Sequence, residues 1–332
     1  MTSAAAPLPG TSGRPRRLPA SVTLPIAIFS LLALTPVYAL IAESGYILEL
    51  FTRVMIFAIA ACAVDLLLGY AALVTFGQAA FIGLGAYAVG ILAKHGIDEA
   101  AVSLPAALAV SALFAFATGI VSLRTKGVYF IMITLAFGQM AFFTASSLAP
   151  YGGDDGLTIA SRNVIAGMRL FDRPLVFYYL ALACLLGTFL LCRSLVASRF
   201  GRVLRGAKEN PTRMTTLGFD VYRFQLVVYV IAGMLSGLSG FLLANATEFV
   251  SPAYMSWQRS DELIIMVLLG GMGSLYGAII GAAAYLLAEE WLSGLTEHWK
   301  VIFGPLLVVI VIFTRGGLLG VGAALTRRWR RG

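Results

Sequence analysis

Apolar runs of about twenty residues follow one another from residue 22 to residue 315, separated by short polar stretches. Twenty residues of helix span about 30 Å, the thickness of a bilayer's hydrocarbon core. A membrane β-barrel would instead alternate apolar and polar residues over segments of about ten. The pattern predicts membrane helices over about 22–42, 50–70, 72–93, 101–123, 127–148, 174–192, 224–245, 262–288 and 300–315. The first run is long and lacks a convincing small-residue cleavage site, so it reads as an uncleaved span.

The polar stretches set the orientation. Residues 193–223 hold seven Arg or Lys against only Glu209 and Asp220, and basic loops stay cytoplasmic. The Arg124–Lys126 turn falls on the same side, as do two basic tails, 1–20 and 316–332. The first tail, rich in Pro, Ala and Gly, reads as flexible. The segment 149–173 is a longer outer loop, although Arg162, Arg169 and Arg173 run against the charge rule. Two cytoplasmic tails require an even number of crossings, against nine runs. One run is therefore no simple crossing, and 70–93 and 262–288, both broken by glycine, are the candidates. In the second, 262–271 reads as a partial crossing before a new helix near Leu275. The cluster of Gly77, Gly83, Gly85 and Gly90 around Thr75 and Gln78 predicts a kinked or unwound stretch, tolerated at membrane depth only under cover of protein or water. Gly233 and Gly237, and Gly273, Gly277 and Gly281, have the spacing of close helix packing.

Composition narrows the class. Of 332 residues, 59% are apolar and 12% charged, against about 45–50% and 25% in soluble proteins. That excludes an ordinary soluble enzyme, a disulfide scaffold and a disordered chain. The net charge of +8 lies in loops, without the aromatic interleaving of a nucleic-acid surface. Cys62, Cys184 and Cys192 have no CxxC spacing and read as small buried side chains. His95 and His298 stand apart, so neither metal nor cofactor is expected. No phosphate-binding loop, HExxH or GxSxG occurs, which argues against an enzyme and against ATP hydrolysis by this chain alone. The expected fold is all-α: a single transmembrane bundle, 21–315, of eight to ten spans, some broken or re-entrant.

Chemistry-bearing residues are few. Thr75, Gln78, Thr134 and Gln139 are polar inside apolar runs. Such groups either line a wet path or hydrogen-bond between helices. Asp65 is a charge within a span. Arg53, twelve residues away, is too far along one helix for a direct pair, so Asp65 reads as a relay, as a charge near the membrane interface or as the partner of a group on another helix. In 199–220, Asn210 suits a helix N-cap, Pro211 the first helical position and Gly218 the close. Residues 201–209 suit a second short helix, and the following proline discourages continuation. Leu204, Ala207, Pro211, Met214 and Leu217 recur at three- and four-residue spacing. The residues leave two readings open: a docking knob for a soluble partner, or a basic loop lying on anionic lipid.

A resemblance decides between them. The run Gly201-Arg-Val-Leu-Arg-Gly-Ala-Lys-Glu-Asn-Pro resembles the cytoplasmic coupling loop of permeases from branched-chain amino acid ABC importers. Four further motifs follow in the same order as in that family: residues 69–87, 127–138, 152–157 and 263–277. Together they cover about residues 50–315 and are closest to the M-type of the two permease subunits. Ala72 stands where the family often has Gly, Thr75 where Ser is usual, and Tyr151 where Thr often precedes the paired glycines. The resemblance implies a type II ABC importer permease in a bacterial inner membrane. It implies cytoplasmic ATP-binding subunits, a second, different permease and a periplasmic or extracellular substrate-binding protein. It places Gly201, Arg202, Arg205, Lys208, Glu209, Asn210, Pro211 and Gly218 against the ATPase. It assigns Gly152, Gly153, Asp154, Asp155 and Gly156 to the binding protein; the path of such a machine is expected along the polar in-span side chains Thr75, Gln78, Thr134 and Gln139. The implied cargo is a branched-chain or other hydrophobic amino acid. The alternative is urea or a short amide carried by the same machine. A secondary transporter would need no such loop and would carry ion-ligand carboxylates in its core. A structural anchor would need no polar residues in its spans.

Overall fold

The computed structural model describes residues 20–41, 45–159, 161–165, 167–295, 298, 301, 303–305, 307 and 317–318. Nearly all of the basic tails and most of the 300–315 run lie outside these residues. The helices are α1 (Ala20–Ile41), α2 (Gly45–Asp65), α3 (Gln78–Lys94), α4 (Ala100–Ser122), α5 (Val128–Ser147), α6 (Pro174–Ala197), α7 (Arg199–Glu209), α8 (Pro211–Thr216), α9 (Val221–Thr247), α10 (Trp257–Gly270) and α11 (Leu275–Ser293). A π-helical turn, Leu66–Ala71, continues α2. Two short strands, β1 (Leu157–Thr158) and β2 (Phe249–Val250), pair antiparallel, Leu157 opposite Val250. Among the described residues six helices are long and apolar enough to cross a membrane, and two shorter apolar ones, Leu24–Ala39 and Gln78–Lys94, join them.

Both glycine-broken runs depart from a plain crossing. The expected 72–93 helix starts only at Gln78, because Ala72 is left-handed (φ 56°) and residues 73–77 are not helical. A left-handed non-glycine backbone is uncommon, and a β-carbon there is strained. This accounts for the glycine usual at that place in the resembling family. The 262–288 run is two helices, α10 and α11, with the second starting at Leu275 as its sequence predicts. Gly273 therefore lies in the turn, outside the helix its spacing suggested.

Helix α2 is the centre of the bundle. Its apolar stretch is 94% buried, against 22% for α5, which presents Tyr129, Met132, Met140 and Phe143 outward. The glycines bring backbones together around α2. A β-carbon on Gly85 would strike the Gly237 carbonyl, and one on Gly240 the Ile82 carbonyl, so α3 and α9 meet main chain to main chain. Gly233 leaves room for Ala115 of α4, and Gly277 and Gly281 seat α11 against α10. In lipid, where no hydrophobic force gathers apolar helices, such close contact is what holds them.

Candidate functional site

At the end of the bundle carrying the basic 193–223 segment, local capping builds a rigid helix pair. The Ser198 Oγ accepts the Gly201 N–H (3.4 Å) and starts α7. Asn210 is extended (φ −154°), which ends α7, and its Oδ1 accepts the Arg213 N–H (2.9 Å), which starts α8 with Pro211 first. Gly218, at φ +87°, closes α8: its own N–H reaches the Thr215 carbonyl and that of Phe219 the Met214 carbonyl. This reversal needs a left-handed residue, which glycine supplies without strain.

The expected single apolar stripe is divided in two. Gly201, Val203, Leu204 and Ala207 are buried against the bundle, whereas no residue of α8 is buried and Leu217 is 63% exposed. The extended Asn210 turns the chain, so α8 does not continue the buried face of α7. The charged groups also part. Arg202, Arg205, Lys208 and Glu209 are all largely exposed, but their polar ends take different directions. Arg205 folds back onto the Val196 carbonyl (3.1 Å) and the Gly201 carbonyl (3.4 Å). Lys208 Nζ turns inward and donates to the Gly69 carbonyl (2.7 Å) in the π-helical turn. A cavity of about 510 Å³ lies beside this unit, lined by Ala72, Val74, Lys126, Lys208, Thr212 and Tyr222 among others.

Deeper in the bundle, Thr75, Gln78 and Thr134 converge on the unwound 73–77 stretch, all nearly or fully buried. The Thr134 Oγ1 accepts the Phe76 N–H (3.4 Å), and the Thr75 Oγ1 accepts the Gly77 N–H (3.2 Å). Both threonines therefore repair the broken backbone. Gln78 does not: among the described residues neither its Oε1 nor its Nε2 has a hydrogen-bond partner. Gln139 is half-buried farther along α5 and joins no hydrogen bond of this cluster.

At the opposite end, residues 149–156 form two 3₁₀ turns held against α3, with Lys94 over the Tyr151 ring (5.2 Å) and His95 3.3 Å from its hydroxyl. Asp154 and Asp155 are exposed. Gly152, Gly153 and Gly156 all have positive φ. A β-carbon on Gly156 would also lie 2.6 Å from the Val250 carbonyl, so glycine seats the loop on β2. Arg162 and Arg169, which ran against the charge rule, pair with Glu248 (2.7 Å) and Asp172 (3.9 Å).

The family model of the permease component of branched-chain amino acid transport systems matches residues 46–312. The chain belongs to that family. This permease is 24% identical to the high-affinity branched-chain amino acid transport system permease protein LivM of Salmonella typhimurium, over 88% of its own length and 74% of the relative's. The LivM of Escherichia coli K12 matches over the same shares at 24% identity. A probable LivH of Methanocaldococcus jannaschii is 30% identical over 43% of this permease and 47% of the relative. No solved structure matches the chain.

One cluster of the permease escaped sequence reasoning. Asp65, fully buried, accepts the Gly273 N–H on Oδ1 (2.7 Å), and the Tyr70 hydroxyl donates to the Gly273 carbonyl (2.7 Å). The interhelical partner of Asp65 is thus the turn between α10 and α11. Asp65 and its position within a span were visible in the sequence, but Tyr70, Lys208 and the main-chain atoms they meet carried no local signal. The Ser260 hydroxyl, accepting the Ala79 N–H (3.0 Å) at the start of α3, was equally silent.

Proposed function

We propose that this permease carries branched-chain or other hydrophobic amino acids across the bacterial inner membrane, driven by ATP-binding subunits at its basic end. The observation that carries the reading is the α7–α8 pair. α8 is capped at both ends, rests on Gly206 of α7 through Met214 and buries none of its residues fully, which leaves its outer side open to a partner. Arg202, Glu209, Asn210, Pro211 and Gly218 form or shape the face offered to the ATPase. Gly201, Arg205 and Lys208 fasten that face to the bundle. The domain layout follows: cytoplasmic tails at 1–20 and 316–332, a single membrane domain at 21–315, and the coupling loop at 193–223. ATP-driven closure of the partner would bias two packings of the bundle, opening it alternately to each side.

The path runs past Thr75, Gln78, Thr134 and Gln139. Its support is the Gln78 amide, held at a helix break with no hydrogen-bond partner among the described residues and so available to the polar groups of a passing cargo. The exposed Asp154 and Asp155, on a loop shaped by Gly152, Gly153 and Gly156, offer the outer contact for a substrate-binding protein. A second, different permease completes the pore. The support is that both LivM and LivH proteins are among the relatives. Those names favour amino acids over urea or amides as cargo. The test is uptake of labelled leucine and labelled urea in native cells with and without the gene. ATP-dependent leucine uptake lost on deletion supports the reading. Loss of urea uptake alone, or of neither, overturns the cargo.

A further inference from the structure

Gly69 is the point where three parts of the chain meet. Its carbonyl receives the Lys208 ammonium of α7. A β-carbon on it would lie 2.5 Å from the Asp65 Oδ1 and 2.6 Å from the Gly273 nitrogen, so the π-helical turn and the α10–α11 turn touch there. Asp65 and Tyr70 grip the N–H and the carbonyl of Gly273 from either side of Gly69. The second carboxylate oxygen, Asp65 Oδ2, is buried without a hydrogen-bond partner among the described residues. The Lys208 ammonium, on the carbonyl of Gly69, stands one turn from that carboxylate. One flexible ammonium thus has an occupied seat on the Gly69 carbonyl and an empty, charge-matched one on Asp65.

We propose that Lys208 is a positioning residue that ties the coupling helix to the two broken helices, and that its ammonium moves between the Gly69 carbonyl and the Asp65 carboxylate as the coupling unit shifts. A π-helical turn leaves carbonyls that a side chain can satisfy, and such turns recur at functional sites. With the ammonium on Gly69, α7 and the π-helical turn move together, and the turn carries Gly273 with it. Transferred to Asp65, the ammonium competes with the Gly273 N–H for the carboxylate and loosens the α10–α11 turn. The inference rests on the proposed coupling role of α7 and α8. It assigns Lys208 an inward task, distinct from contact with an ATPase.

The test uses the full chain, alone and in its assembled complex. The variants are Lys208→Met, which keeps length and loses charge, Lys208→Arg, which restores it, and Asp65→Asn, which can still accept the Gly273 N–H. In the complex, Lys208→Met and Asp65→Asn should each raise the ATP consumed per leucine transported at least fivefold, Lys208→Arg should recover most of the loss, and the double variant should be no worse than either single one. In the permease alone, Lys208→Met should speed amide hydrogen exchange across 270–275, with Lys208→Arg restoring protection. A wild-type ATP cost in Lys208→Met overturns the proposal, as does failure of Lys208→Arg to rescue or additivity in the double variant. If the wild-type complex transports no amino acid, the functional reading fails. The exchange arm then decides this inference by itself, and unchanged exchange across 270–275 overturns it.

Discussion

Replacing Gln78 by leucine tests the path and the packing together. Gln78 is fully buried at the first position of α3, and both polar atoms of its amide lack a hydrogen-bond partner among the described residues. A buried polar group left unbonded costs about 1–3 kcal/mol, so the two together cost at least about 2 kcal/mol on the same scale. Leucine carries no polar atom. Its different shape costs less than about 1.5 kcal/mol when a core repacks around a similar volume. With the orphaned amide near the middle of its range, Gln78→Leu stabilises the permease by about 2 kcal/mol, a roughly thirtyfold shift in the unfolding equilibrium. The same change removes the groups proposed to meet the cargo, so ATP-driven leucine uptake falls at least tenfold. Thermal unfolding of the purified permease reads the first effect, and uptake into proteoliposomes holding the assembled importer reads the second. A variant less stable than wild type refutes the orphaned amide. A stabilised variant with normal uptake refutes its place on the path. A natural chain that keeps a destabilising group in its core has a functional reason to do so, which is why the two measurements belong together.

Two further variants probe the ends of the bundle. Asn210→Ala removes the side chain that caps α8 and should cost about 1 kcal/mol locally, read as roughly fivefold faster amide exchange across 211–216; unchanged exchange would mean that contacts other than the cap hold α8. Gly156→Ala places a β-carbon at a left-handed position 2.6 Å from the Val250 carbonyl, and should cost more than about 1 kcal/mol and expose the β1–β2 amides to exchange; retained protection of residues 157–158 and 249–250 would show that the outer loop can move aside.

The membrane class, the helical reading and most helix limits were legible because they depend on local quantities. A run's length and apolarity decide whether it can cross a bilayer, and the break before Gln78 and the fresh start at Leu275 follow from glycines and polar residues in place. The α7–α8 pair was legible for the same reason. Asn210, Pro211 and Gly218 act on backbone groups within a few residues, so their roles need no knowledge of the fold. The direction of Arg205 and Lys208 was not legible. Both lie on the charged side of an amphipathic helix, and only packing shows that one folds onto its own chain while the other reaches 139 residues back to Gly69.

The sequence by itself determined that this is a polytopic helical permease, where its chain must break, and where a small capped helix stands at its basic end. The tertiary structure alone decided which broken ends touch: Thr134 with Phe76, Asp65 with Gly273, Lys208 with Gly69. It alone showed that the Gln78 amide, unlike the threonines beside it, has no hydrogen-bond partner among the described residues. The physical reason is range. Caps, glycine turns and apolar length act over a few residues, whereas a hydrogen bond between helices depends on how closely their backbones approach and how each is rotated. Those two quantities are set jointly by every glycine contact in the bundle.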